Sequence, residues 1–110
     1  MKASAPRRGE VHLVSRDPTR GSEIRKTRPC LIVSPDELNR HLKTLIVAPM
    51  TSAGHPYPFR VACKFEGKLG FVVLDQVRTV DRERLVRCLG KLPGPAFEEV
   101  LSRLQEMFAT

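Results

Sequence analysis

Apolar and polar positions alternate early in the chain, in "EVHLVSR" from Glu10 to Arg16, which places Val11, Leu13 and Ser15 on one face of a strand. A polar, turn-rich stretch follows from Asp17 to Lys26, and "CLIVS" then gives a short continuous apolar strand from Cys30. "SPDELNRH" has a helix-start pattern: Ser34 as N-cap, Pro35 in the first helical position and Glu37 three residues after the cap. "TLIVAPM" predicts a strand over Thr44 to Met50. "FRVACKF" predicts another, with Phe59, Val61, Cys63 and Phe65 on one side. "EGKLG" reads as a hairpin turn, "FVVLDQVRTV" as a longer strand region, and "DRERLVRCLGKL" as a further short helix or strand.

Phe97, Val100, Leu101, Leu104, Met107 and Phe108 then fall at helical spacing. Pro95 suits a first turn, with Glu98 and Glu99 complementing the helix dipole. Closely spaced short strands without long alternating helices argue against a doubly wound sheet. They predict a mainly β fold, a small curled antiparallel barrel with short helices and a C-terminal helix packed on it. The chain divides into a flexible basic arm, residues 1–8, and a single domain, residues 9–110.

Charge sharpens this picture. The formal net charge is +7, and residues 1–60 carry 11 basic side chains against 5 acidic ones. Such a surface suits a polyanion or an acidic protein, although it equally suits a protein whose charge only keeps it in solution. Cys30, Cys63 and Cys88 form no CxxC pair, which points to reduced, buried thiols and a cytoplasmic location. The N-terminus lacks the apolar stretch of a signal peptide, and no run approaches membrane-spanning length.

No glycine loop for a nucleotide and no histidine pair at metal-ligand spacing is present, so neither cofactor nor metal is expected. Among the scattered histidines, His12 reads as structural and His41 as exposed, while His55 lies in a Gly/Pro loop where function is more plausible. Polar residues gather at strand ends: Glu23 and Arg28 around the second strand, Thr51 and Ser52 after the third, then Asp75, Gln76, Arg78 and Thr79. On neighbouring strands of a curled sheet they could converge at one rim. A guanidinium fork, a hydroxyl and a carboxylate are the parts that stabilise a phosphoryl transition state without a metal.

The linked motifs R-G-E-V, D-P-T-R-G-S-E, R-P, P-M-T-S and D-Q-V-R-T, in this order from about Arg8 to Phe108, resemble the MazF/PemK family of toxin endoribonucleases. The resemblance implies an SH3-like β-barrel, a homodimer, and metal-independent cleavage of single-stranded RNA at short sequences. Attack by the ribose 2′-hydroxyl would give 2′,3′-cyclic phosphate and 5′-hydroxyl ends. It further implies inhibition by a MazE-like acidic antitoxin.

Carried over by motif, Arg28 matches the family's catalytic arginine, Thr51 its catalytic threonine and Glu23 a loop carboxylate tied to catalysis. An arginine stays charged at any working pH, so Arg28 is assigned to the phosphorane oxygens and Glu23 to the base. The motifs name no acid for the leaving oxygen, and His55 is the candidate for it. The PemK/Kid branch has a His in place of the Ser of G-S-E and an Arg two residues before the Asp of D-Q. Ser22 and Val73 stand there in this chain, which points to the MazF-like branch and makes an acid–base role for Asp75 doubtful. RNA contacts are expected from Arg25, Lys26, Ser52, His55, Asp75, Gln76 and Arg78. A CcdB-like gyrase poison, or a member that only binds RNA or antitoxin, is the alternative.

Overall fold

A computed structural model describes residues 5–16, 26–52 and 54–110. Among the described residues seven strands form one curled antiparallel sheet in the order β4-β5-β3-β2-β1-β7, with β6 also paired to β3. The strands are β1 (Glu10–Ser15), β2 (Thr27–Ile32), β3 (Thr44–Thr51), β4 (Arg60–Phe65), β5 (Lys68–Val73), β6 (Arg78–Asp81) and β7 (Leu85–Lys91). Among the described residues two α-helices complete the fold, α1 (Asp36–His41) and α2 (Gly94–Met107).

The continuous apolar runs are explained by burial on both faces. Leu31, Val33, Ala48 and Met50 join Val61, Val72 and Val100 in the main core beneath α2, while Cys30, Ile32, Leu45 and Val47 join Val14 and Val80 in a second cluster. This corrects the one-faced reading of the first strand: Val11 is fully buried, but His12 and Val14 on the other side are buried too, and Leu13 only partly.

β2 starts at Thr27, three residues before the predicted strand, and runs through Pro29, which faces Leu13 of β1. Proline has no N–H to give, and pairing with β3 starts one residue later, at Cys30↔Pro49. The predicted "FVVLDQVRTV" strand is broken. A 3₁₀ turn at Leu74–Gln76 ends β5, and β6 then continues along β3 in the same direction, with a shifted register. The hairpin between β4 and β5 is tighter than expected. Glu66 and Gly67, both at positive φ, make the turn and leave Gly70 inside β5.

The short helix forms without the capping box. Its N-cap is Pro35. The Ser34 hydroxyl instead donates to Asn39 Oδ1 at 2.6 Å and accepts the Ile46 N–H at 3.0 Å. Asn39 returns a bond to the Ser34 carbonyl, so the pair bolts α1 to β3 in a dry site. In α2, Val100 is fully buried and Phe97, Leu104 and Met107 pack on the core, but Phe108 is exposed. Glu98 and Glu99 fall beyond the first turn, and Glu99 pairs with Arg103 one turn on. Arg8, expected in the flexible arm, docks its N–H on Asp36 and its Nε on the Val33 carbonyl. Among the described residues no helix is long and apolar enough to cross a membrane.

Candidate active site

Arg28 sits two residues into β2, immediately before Pro29, which restricts it to extended backbone geometry. Thr51 is the last residue of β3. Continuing the β2–β3 register two residues past Cys30↔Pro49 sets Arg28 across from Thr51. Both are half-buried, and both line a cleft of about 320 Å³ with Ser52, Thr27, Arg16 and Lys68 over Met50, Cys63 and Phe65. Burial on this apolar floor pushes the Cys63 thiol up. The same desolvation strengthens whatever Arg28 and Thr51 do to a charged ligand.

Gly70 is the support under Thr51. A Cβ there would overlap the Thr51 carbonyl oxygen and lie 3.2 Å from the Thr51 carbonyl carbon and 3.3 Å from Ser52 Cα. Only a glycine lets β5 come this close, and the end of β3 rests on it.

A second hollow of about 300 Å³ adjoins the first, sharing Arg16 and Arg28. Arg78, Arg84 and Gln76 complete its rim, above a floor that includes Val14, Cys30, Val47 and Val80, and among the described residues no acidic one lines it. Arg84 is locked in place, donating from Nε and Nη2 to the Ser15 carbonyl at 2.8 and 2.6 Å. Burial raises the Cys30 thiol to about 11 against the pull of the Arg28, Arg78, Arg84 and Arg16 guanidiniums. Cys30 therefore stays neutral, and four cations face one basin with no counter-charge in its lining among the described residues.

Residues 7–108 match the family described as PemK-like, MazF-like toxin of type II toxin–antitoxin system. The chain belongs to this toxin family. It is 42% identical over 103 residues to endoribonuclease PemK of Escherichia coli, covering 88% of this chain and 77% of the relative. Two crystal structures from Deinococcus radiodurans share the fold. One is a MazE–MazF complex (TM-score 0.80, 26% identity, 98% of this chain and 99% of that one). The other is MazF (TM-score 0.79, 28% identity, 98% and 100%). The relative at this identity carries the PemK name, whereas Ser22 and Val73 had pointed to the MazF-like branch.

On this toxin fold the expected site residues divide. Arg28, Thr51 and Ser52 share the cleft, and Gln76 and Arg78 line the arginine basin. Asp75, on the 3₁₀ turn, lines neither hollow and takes a two-pronged grip from Arg60, Nε to Oδ1 at 3.1 Å and Nη2 to Oδ2 at 3.2 Å. That guanidinium holds the Asp75 carboxyl below its usual range. Arg60 is the cross-strand partner of Val73 and lies against the Tyr57 ring. An arginine thus reaches Asp75 from β4, where the PemK/Kid pattern would supply one from position 73. His55 is exposed, edge-on to Tyr57 at 6.0 Å, and lines neither hollow. Lys26 is exposed, its carbonyl accepting the Arg16 N–H. Glu23 and Arg25 lie outside the described residues.

Sequence reasoning missed Arg16, Arg84 and Gly70. The rule that singled out Arg28 as a strand-end cation, applied to "EVHLVSR", would have found Arg16. Cys88, expected to be buried, is exposed because β7 is the edge strand and turns that face to solvent.

Proposed function

We propose that this toxin is an endoribonuclease that cuts single-stranded RNA by attack of the substrate's 2′-hydroxyl, without a catalytic metal. The observation that carries this is the meeting of Arg28 and Thr51 in one cleft, with the arginine basin continuous beside it. In this mechanism the 2′-hydroxyl attacks the adjacent phosphorus as Glu23 takes its proton. The guanidinium of Arg28 and the hydroxyl of Thr51 hold the equatorial oxygens of the phosphorane. The P–O5′ bond then breaks, leaving a 2′,3′-cyclic phosphate, and the departing O5′ takes a proton from solvent water to become the 5′-hydroxyl. Flanking phosphates lie over Arg16, Arg78 and Arg84, and unstacked bases meet Gln76 and Ser52. Asp75, paired with Arg60 outside both hollows, is not the acid.

The same basin suits an acidic segment of an antitoxin, which would exclude RNA by occupying its phosphate sites, and the toxin acts as a homodimer. Monomeric mass in sedimentation at micromolar concentration would contradict the dimer. The deciding experiment incubates purified protein with a long RNA in EDTA and maps the ends. Discrete cuts bearing cyclic phosphate and 5′-hydroxyl groups are expected. Intact RNA would overturn the nuclease reading, and stalled gyrase would replace it with a topoisomerase poison.

A further inference from the structure

Glu10 and His12 are two residues apart on β1, so their side chains leave the same face of the sheet. The cross-strand partner of His12 on β7 is Cys88. The register shifts between Val11 and His12, since Val11 faces Gly90, and Gly90 has φ 133°. A bulge of this kind re-aims side chains on the bulged strand. A carboxylate oxygen, a ring nitrogen and a thiol sulfur from these three residues lie within 4.8 Å of one another. His12 is 8% exposed, Glu10 half-buried and Cys88 open to solvent, so the group is anchored below and accessible above.

The donors are also held from behind. His12 Nε2 lies 2.9 Å from Glu10 Oε1, and that oxygen accepts the Arg7 N–H at 3.0 Å. Outer hydrogen bonds of this sort orient metal-binding carboxylates.

We propose that Glu10, His12 and Cys88 form a divalent-cation site of the zinc type, clipping the edge strand β7 to β1. One sulfur, one imidazole and one carboxylate are a zinc donor set with a fourth position left for water. Calcium and magnesium, which prefer oxygen alone, do not suit it. Zinc bonds of about 2.0–2.3 Å in a tetrahedron separate donors by about 3.3–3.8 Å. The Glu10–His12 pair must open by roughly half an ångström, and exposed Cys88 must turn inward, a side-chain adjustment on rigid strands.

The role is structural. Leu89, next to Cys88 on β7, lines the Arg28–Thr51 cleft, so the clip steadies one wall of that cleft without entering it. The proposal is independent of the cleavage mechanism.

The test uses the full chain stripped of metal and titrated with Co²⁺, then Zn²⁺. One equivalent of Co²⁺ per chain should produce a sulfur-to-cobalt absorption band that Zn²⁺ abolishes, and Zn²⁺ should raise the melting temperature. Cys88→Ser, at an exposed position, should remove the band and weaken Zn²⁺ binding by about 100-fold or more, and Glu10→Gln should weaken it by at least about 10-fold. Cys30→Ser and Arg28→Ala should leave both signals unchanged. No band at stoichiometric Co²⁺ would overturn the site. A band and Zn²⁺ affinity that survive Cys88→Ser, or vanish with Cys30→Ser, would overturn this assignment of the ligands.

Discussion

At the scale of single residues, Arg28 carries the heaviest expectation. It stands at a strand start, before a proline, facing two hollows. Arg28→Ala should lower the cleavage rate by about 100- to 1000-fold in a protein that still folds, as loss of a preorganised charge donor does. Arg28→Lys should fail as well, since an ammonium cannot reproduce the planar fork. Single-turnover kinetics with circular dichroism on both variants measures this, and near-normal cleavage by either would remove the fork from the mechanism. Glu23→Gln keeps size and hydrogen bonding but removes basicity. The variant should lose about 100-fold in rate, together with the acidic limb of the pH–rate profile. An unchanged profile at saturating RNA, with weaker binding, would make Glu23 an organiser of the groove.

At the scale of elements, the site depends on two contacts between strands. The β2–β3 register brings Arg28 across from Thr51, and the close approach of β5 at Gly70 sets the height of Thr51. Gly70→Ala should push the end of β3 away and cost at least about 10-fold in rate, even where the fold survives, because small misplacements of reacting groups are costly. Ala at Gly67 strains the turn without touching Thr51, so it separates strand destabilisation from site geometry. Equal rates for folded Gly70→Ala and wild type would show that the strand end adjusts freely. The element boundaries explain what the pattern could convey. The alternation in "FRVACKF" and the stripe in α2 were legible because one face of each is buried. "CLIVS" was legible as a strand but its start was not, since the polar residues Thr27 and Arg28 join β2 only through pairing with β1. The capping box failed because Ser34 is drawn into a buried bond with Ile46. No local pattern reports that partner, which lies 12 residues away in the chain.

At the scale of the whole molecule, curling of the sheet gathers Arg28 of β2 and Arg78 of β6 around one basin with Arg16, which follows β1, and Arg84, which precedes β7. RNA affinity should therefore fall steeply with salt, and Arg16→Ala should reduce the slope of log affinity against log salt by about 0.7, one phosphate's share on a single strand. A titration between low and physiological ionic strength checks this, and an unchanged slope would take Arg16 off the phosphate path. By itself the sequence determined a small, mainly β toxin chain with a basic first half and a short set of strand-end residues, because hydrophobic period, turn residues and linked motifs are local properties. Only the tertiary structure decided which of those residues meet. It joined Arg28 and Thr51, paired Asp75 with Arg60, left His55 outside, and set His12 beside Cys88. The physical reason is that register, sheet curvature and the close approach of backbones are set by pairing between distant segments, and a linear pattern of side chains does not encode which edge each strand will find.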